Sequence, residues 1–309
     1  VENALSLKNM NIIPEFPEFT SVSASMYKEL YPFLNNLPDG ISEFTFLNLY
    51  LYRAKYDYRI SRLPQTAETT FIVNGRDKYG TFFFVIGSLP SNEQIGALLK
   101  TYGRWKNMGQ THYGACAEFL TKQGFVVQED RDNEDYLYTR QSLADLAGKA
   151  LHKKRNLANG FENAYTWDVR PLTEKNAADA GIVLDAWVAA RAEGDIADYD
   201  QCVNALEVLA VSNFSGLLVY VEDKPVAWAL GEYIVSGKVF LVHFEKAIDS
   251  YRGVYQFVNR ATARSLPETV EFINREQDLG DEGLRQAKMT YRPAAFVKKY
   301  CVTYAEAKP

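Results

Sequence analysis

The run "GLLVYVEDKPVAWALGEYIVSGKVFLVHFEKA", residues 216–247, decides the fold of this chain. It reads as three β-rich segments separated by Asp223-Lys224-Pro225 and Ser236-Gly237-Lys238. Both separators carry turn chemistry, so the three segments fold back on one another as antiparallel strands. Upstream, "TWDVRPLTEKNAADAGIVLDAWVAARA" gives a short strand, a Thr173 cap and a long helix with Ala177, Ala180, Val183, Leu184 and Trp187 at helical spacing. A second helix follows at about 199–210. Downstream come a helix at 254–265, a strand at 269–274, a helix at 281–290 and a final strand at 297–304. This order is that of an α+β layer with a mixed central sheet flanked by helices.

The first half repeats the order more faintly. "TTFIVNGRDKYGTFFFVIG" reads as a hairpin, with strands Thr69–Val73 and Thr81–Ile86 around a turn containing Asn74-Gly75 and Tyr79-Gly80. Ser91 and Gln94 form a capping-box pattern ahead of a helix carrying Ile95, Leu98, Leu99 and Tyr102. "GFVVQED" is again a strand. Residues 142–159 read as one helix that ends in the basic knot "HKKRN", and residues 42–60 as an aromatic-rich helix or extended segment. With 309 residues the chain suits two domains. The expected division is 10–160 and 161–309, with Met10 a possible start of the native chain.

Composition narrows the function. The net charge of −5 gives no global basic footprint for DNA. Cys116, Cys202 and Cys301 are widely spaced and no Cys/His metal pattern occurs, which points to a reduced, cytoplasmic, metal-free protein. No apolar run is long enough to span a membrane. The aromatic segment 44–58 permits peripheral membrane contact, although the acidic balance opposes strong attraction to anionic lipid.

The order of elements resembles the N-acetyltransferase (GNAT) fold, in tandem. The strings "FLNLYLYR", "LAGKALHKKRNLANGF", "VHFEKA", "RGVYQFVNR" and "INREQDLGDEGLRQAKMTY" resemble a bacterial family similar to the C-terminal catalytic domain of phosphatidylglycerol lysyltransferases. The resemblance covers roughly residues 27–304. It implies an aminoacyl- or acyltransferase whose donor is aminoacyl-tRNA, with tRNA as a partner and a lipid headgroup or small-molecule amine or hydroxyl as acceptor. Asp281 and Glu282, after the Leu279-Gly280 turn, depart from those enzymes and leave the substrate open.

Four places carry candidate chemistry. On "KVFLVHFEKA", strict alternation puts His243 and Glu245 on one face, about 7 Å apart, where either could act as base; a structural ion pair is the other reading. In "DSYRGVYQ", Arg252 and Gly253 stand where acyl-CoA enzymes cradle a pyrophosphate, but Ser250 and bulky Tyr255 fit that loop poorly. In "FINREQDLGDEGLRQAKMTYRP", residues 272–293, a strand hands over to a helix through a row of polar residues. There Asn274, Arg275, Glu276 and Asp278 read as the floor of a binding crevice, with Arg285 and Lys288 as cationic contacts. A solvated turn is the alternative. In the basic knot, Arg155 and Asn156 are candidate phosphate contacts, or ordinary helix-end cations. Against the aminoacyltransferase reading stand an acetyl-CoA-dependent acetyltransferase and a non-catalytic GNAT scaffold that binds a ligand. No tightly bound cofactor is expected.

Overall fold

The computed structural model describes residues 12–64, 66, 68–191 and 198–304. Met10 lies outside them. In chain order the elements are β1 (Thr20–Ser21), α1 (Tyr27–Leu34), α2 (Phe46–Tyr56), β2 (Arg59–Arg62), β3 (Thr70–Asp77), β4 (Gly80–Gly87), α3 (Asn92–Tyr102), β5 (Arg104–Gly109), α4 (Gln110–Lys122), β6 (Phe125–Glu129) and β7 (Asp135–Thr139). Then follow α5 (Arg140–Asp145), α6 (His152–Ala164), β8 (Trp167–Pro171), α7 (Ala177–Ala189), α8 (Tyr199–Glu207), β9 (Ser215–Val221), β10 (Lys224–Ile234) and β11 (Val239–Ala247). The chain finishes with α9 (Val254–Ser265), β12 (Phe272–Asn274), α10 (Glu282–Met289), β13 (Ala295–Val297) and β14 (Lys299–Tyr304).

Two mixed sheets result, ordered β1-β2-β3-β4-β5-β14-β6 and β13-β7-β12-β11-β10-β9-β8. This is the tandem GNAT-like α+β architecture. Among the described residues no helix is long and apolar enough to cross a membrane.

Local chemistry explains most boundaries. Ser91 and Gln94 do form a capping box at α3. The β9–β10 turn is Glu222-Asp223, both left-handed, one residue earlier than expected. The β3–β4 turn is Lys78-Tyr79, and Asn74-Gly75 lies inside β3 instead. Gly75 is there because a Cβ would sit 2.9 Å from the Phe82 ring and the Tyr56 carbonyl. Residues 142–159 are not one helix. Left-handed Leu146 and Gly148 end α5, so the basic knot opens α6 rather than closing α5.

The sheets do not follow the division at 160/161. β6 leads into β7 through a single 3-10 turn at Arg131–Asn133, β13 leads directly into β14, and these two lengths pair antiparallel as one interrupted ribbon. The ribbon crosses from sheet to sheet, so β7 completes the second sheet and β14 the first. Tyr136 and Tyr138 thus sit in the second core, and Tyr300 and Val302 in the first. Helix α2 also bridges the halves, with Phe46, Leu47 and Leu49 in the first core and Leu51 in a separate cluster of the second sheet, beneath α7 and α8. At the crossing, fully buried Lys299 donates to Asp135 Oδ1 at 2.8 Å and pairs with Glu43. Periodicity describes each strand alone, and cannot show that one strand serves two sheets.

Candidate functional site

β11 and β12 are parallel neighbours, joined by α9, and pair only at Val239–Phe272, Phe240–Ile273 and Leu241–Asn274. β12 then ends while β11 runs on to Ala247. Beyond these pairs the strands part, and the gap between their C-terminal ends, the crevice, is the usual place for a ligand in a sheet with parallel neighbours. The first sheet has a parallel pair too, β4 and β5, joined by α3. There Trp105 stacks on Phe83 across the paired position, and buried His112 Nε2 lies 2.9 Å from the carbonyl oxygen of Gly87 at the C-terminal end of β4.

His243 and Glu245 do not share a face. Leu230 pairs with Phe244 but Gly231 with Val242, so His243 is the extra residue of a β-bulge. Gly231 makes the bulge possible, since a Cβ there would lie 2.1 Å from the Leu241 carbonyl oxygen. Beyond the bulge the alternation reverses. Glu245 turns toward α9, and His243 toward the space between the sheets.

On the α9 side, Arg275 Nη2 donates to Glu245 Oε1 at 3.3 Å, and Asn259 Nδ2 donates to Glu245 Oε2 at 3.4 Å. The Arg275 guanidinium lies 5.2 Å from the Tyr291 ring centre, and Lys154 Nζ lies 4.4 Å from the same ring. Burial pushes the Tyr291 hydroxyl up to about 12. Burial, then the Arg275 charge, lower the Lys154 ammonium. For Arg275 burial is the largest influence and opposes the charge, but Glu245 together with the Tyr291 and Tyr138 hydroxyls overcomes it, and the guanidinium is held more firmly cationic. The side chains of Glu245 and Arg275 remain 11% and 15% exposed, so a ligand entering the crevice can reach both.

On the other side, His243 stands between two carboxylates, with Nε2 at 2.9 Å from Glu232 Oε1 and Nδ1 at 2.9 Å from Glu276 Oε1. Burial disfavours the imidazolium, yet the two carboxylates overcome it and raise the ring to about 9. Both ring nitrogens then donate, and neither is free to accept a substrate proton.

The polar row divides into floor and lock. Arg275 faces the crevice. Fully buried Asn274 faces the seam, donating to the Gly40 carbonyl at 3.0 Å and Asp135 Oδ2 at 3.2 Å. Asp278 accepts from Arg285 Nε at 2.9 Å and Nη2 at 2.7 Å, and from the Gly280 amide at 2.9 Å. Burial works against its charge, but these bonds and the Tyr136 hydroxyl hold it near 2. Arg285 also reaches Asp132 at 2.6 Å. Lys288 Nζ donates to the carbonyls of Arg275, Glu276 and Gln277 at 2.7, 3.1 and 2.5 Å, although burial and the Arg275 charge lower it to about 8. Asn274, Asp278, Arg285 and Lys288 therefore hold the loop in shape, with their polar atoms committed to protein groups.

The remaining expected contacts move as well. Arg155 donates to the carbonyls of Leu146 and Gly148 at 2.6 and 3.3 Å, closing the α5–α6 link, and Asn156 is exposed. Lys154 is the residue of the knot that reaches the crevice. Gly253 caps α9 in a left-handed turn, where a Cβ would lie 2.2 Å from the Leu157 carbonyl oxygen of α6. Helix α6 thus covers the backbone on which a pyrophosphate would rest, and Tyr255 donates to the Ala247 carbonyl at 3.3 Å. Asn259 and Tyr291 escaped the sequence reading, and within the basic knot it picked Arg155 and Asn156 instead of Lys154. The 3.6-residue period of α9 could have placed Asn259 on its buried face; nothing local marks Tyr291.

Comparison with known proteins places this geometry. The model of the family described as phosphatidylglycerol lysyltransferase, C-terminal, matches residues 34–303. A conserved protein of unknown function from Bacteroides thetaiotaomicron is 26% identical, with a TM-score of 0.82 over 93% of this chain and 99% of that one. L-PGS from Bacillus licheniformis shares the fold at 15% identity, with a TM-score of 0.61 over 96% of this chain and 95% of that one. A curated protein of Mycoplasmoides gallisepticum is 22% identical over 187 residues, 57% of this chain. The chain spans only 58% of that relative's length.

Proposed function

This chain belongs to the phosphatidylglycerol lysyltransferase C-terminal family, and we propose from that premise that it transfers an aminoacyl group from aminoacyl-tRNA to an amine or hydroxyl acceptor in the β11–β12 crevice. The observation that carries the proposal is the Glu245–Arg275 pair, 3.3 Å apart and partly exposed where the parallel strands separate. Glu245 takes the proton of the attacking nitrogen or oxygen as that atom bonds to the ester carbon. The ester C–O bond to the tRNA breaks, and Glu245 returns the proton to the departing ribose oxygen. Arg275 and Lys154 supply positive charge to the oxyanion or to a phosphate of either substrate. A lipid headgroup or another small molecule fits as acceptor.

An acyl-CoA donor fits less well, since Gly253 packs on α6 instead of standing open to a diphosphate. The test is to supply tRNA charged with labelled amino acids and to follow label into lipid and peptide extracts. Transfer that Glu245→Gln removes supports the reading. Micromolar binding of acetyl-CoA with acetyl transfer overturns it in favour of an acetyltransferase, and a ligand bound without turnover overturns it in favour of a non-catalytic scaffold.

A further inference from the structure

A second cleft, of about 330 Å³, lies in the first sheet, away from the crevice. Its floor is the α3-facing side of β2, β3 and β4. Arg59 pairs across strands with Asn74, and Arg76 with Thr81; Asn74 and Arg76 are two residues apart, so all four side chains share that side. Asn74 Nδ2 donates to the Tyr102 hydroxyl at 3.2 Å, which fixes Tyr102 as one wall. Phe19 packs edge-on to Tyr102, with ring centres 6.1 Å apart, and extends that wall. Asp57 stands at the rim.

The charge arrangement is unusual for an acidic protein. Arg104 and Lys106, on the opposite side of the same sheet, are both paired with Asp77. Arg59 and Arg76 have no carboxylate or hydrogen-bond partner among the described residues, although Asp57 lines the same cleft. Two unpaired guanidinium groups beside an amide and a hydroxyl match the donor pattern that recognises a phosphate. An aromatic wall next to them suits a flat ring, and a rim carboxylate accepts from a ligand hydroxyl. The volume is at the small end of ligand sites, about the size of one nucleotide.

We propose that this cleft binds a small phosphate ester of nucleotide size, its phosphate on Arg59 and Arg76 and its ring against Phe19 and Tyr102. The assignment is independent of the transfer reaction and uses none of its residues.

The experiment is calorimetric titration of the full chain with adenosine monophosphate and, separately, with inorganic phosphate. Submillimolar binding of the nucleotide is expected, weakening as salt is added. The double substitution Arg59→Ala with Arg76→Ala should weaken it by about tenfold or more, the equivalent of roughly one well-made charged contact. Both arginines are exposed, so an unchanged melting temperature will show that the fold survives. Phe19→Ala should weaken the nucleotide but not phosphate, and Glu245→Gln should bind as the parent does. Absence of binding at millimolar nucleotide overturns the proposal. So does binding that the double substitution leaves intact, because the ligand then sits elsewhere.

Discussion

His243 and Glu245, two residues apart on one strand, lie on opposite faces of the second sheet because a bulge at His243 reverses the alternation between them. One becomes a doubly bonded imidazolium between the sheets. The other stands beside Arg275 in the crevice. This division separates the stability of the loop from its chemistry, and the two can be tested apart.

Glu245→Gln keeps the shape of the side chain and an oxygen that accepts from Arg275, but removes the base. Transfer should fall by about 10²- to 10⁴-fold, the usual worth of a positioned general base. Circular dichroism should show the fold intact, with a lowered melting temperature because the largely buried Arg275 loses its carboxylate. Activity retained within a few-fold of the parent would exclude Glu245 from the proton transfer.

His243 makes stability depend on pH. Its folded value of about 9 stands above the ordinary 6.5, so the folded chain holds the proton more tightly. The stabilisation is complete below pH 6.5 and is lost as pH rises through about 9, to a limit of about 3 kcal/mol. Lys288 acts in the opposite sense, since its folded value of about 8 lies below the ordinary 10.5 and favours the fold as pH climbs between those values. Between pH 6.5 and 8 the His243 effect stands alone. Urea midpoints across that window should fall for the parent chain, and should stay flat for His243→Gln.

Lys288→Met should destabilise the chain by about 2 kcal/mol, because it leaves the part-buried carbonyls of Arg275 and Gln277 without their donor, while the Glu276 carbonyl keeps the Tyr136 amide. It should also weaken transfer, as Arg275 loses the backbone that aims it. A variant with parental activity and parental melting temperature would show that the loop holds its shape without the lysine.

Lys299→Met removes the cation shared by Asp135 and Glu43 at the seam. Burial already pushes the Glu43 carboxyl up, against the pull of Lys299, so Glu43 can shed its charge. Asp135 is then left buried and unpaired, at a cost of about 3 kcal/mol. Because one ribbon serves both sheets, unfolding should remain a single transition. A chain cut after residue 160 should fail to fold, since it lacks the β14 strand that joins β5 to β6. Two resolved melting steps would refute the shared-ribbon account.

The sequence by itself determined the elements whose causes are local. Alternating apolar residues made β9, β10 and β11 legible, a Ser91–Gln94 box marked α3, and 254–265 matched α9 to the residue. It also directed attention to Glu245 and Arg275, together with His243 and the rest of the polar row, because charged side chains on or just after a strand are hard to place in a core. Tertiary structure decided the rest. The face of His243 depends on one unpaired residue in a ladder with β10. The destinations of β7 and β14 depend on pairing between segments some 160 residues apart. Lys154 and Tyr291 reach the crevice from separate helical regions. Periodicity is a property of neighbours along the chain, whereas a bulge, a shared strand and a convergent site arise only when distant segments meet.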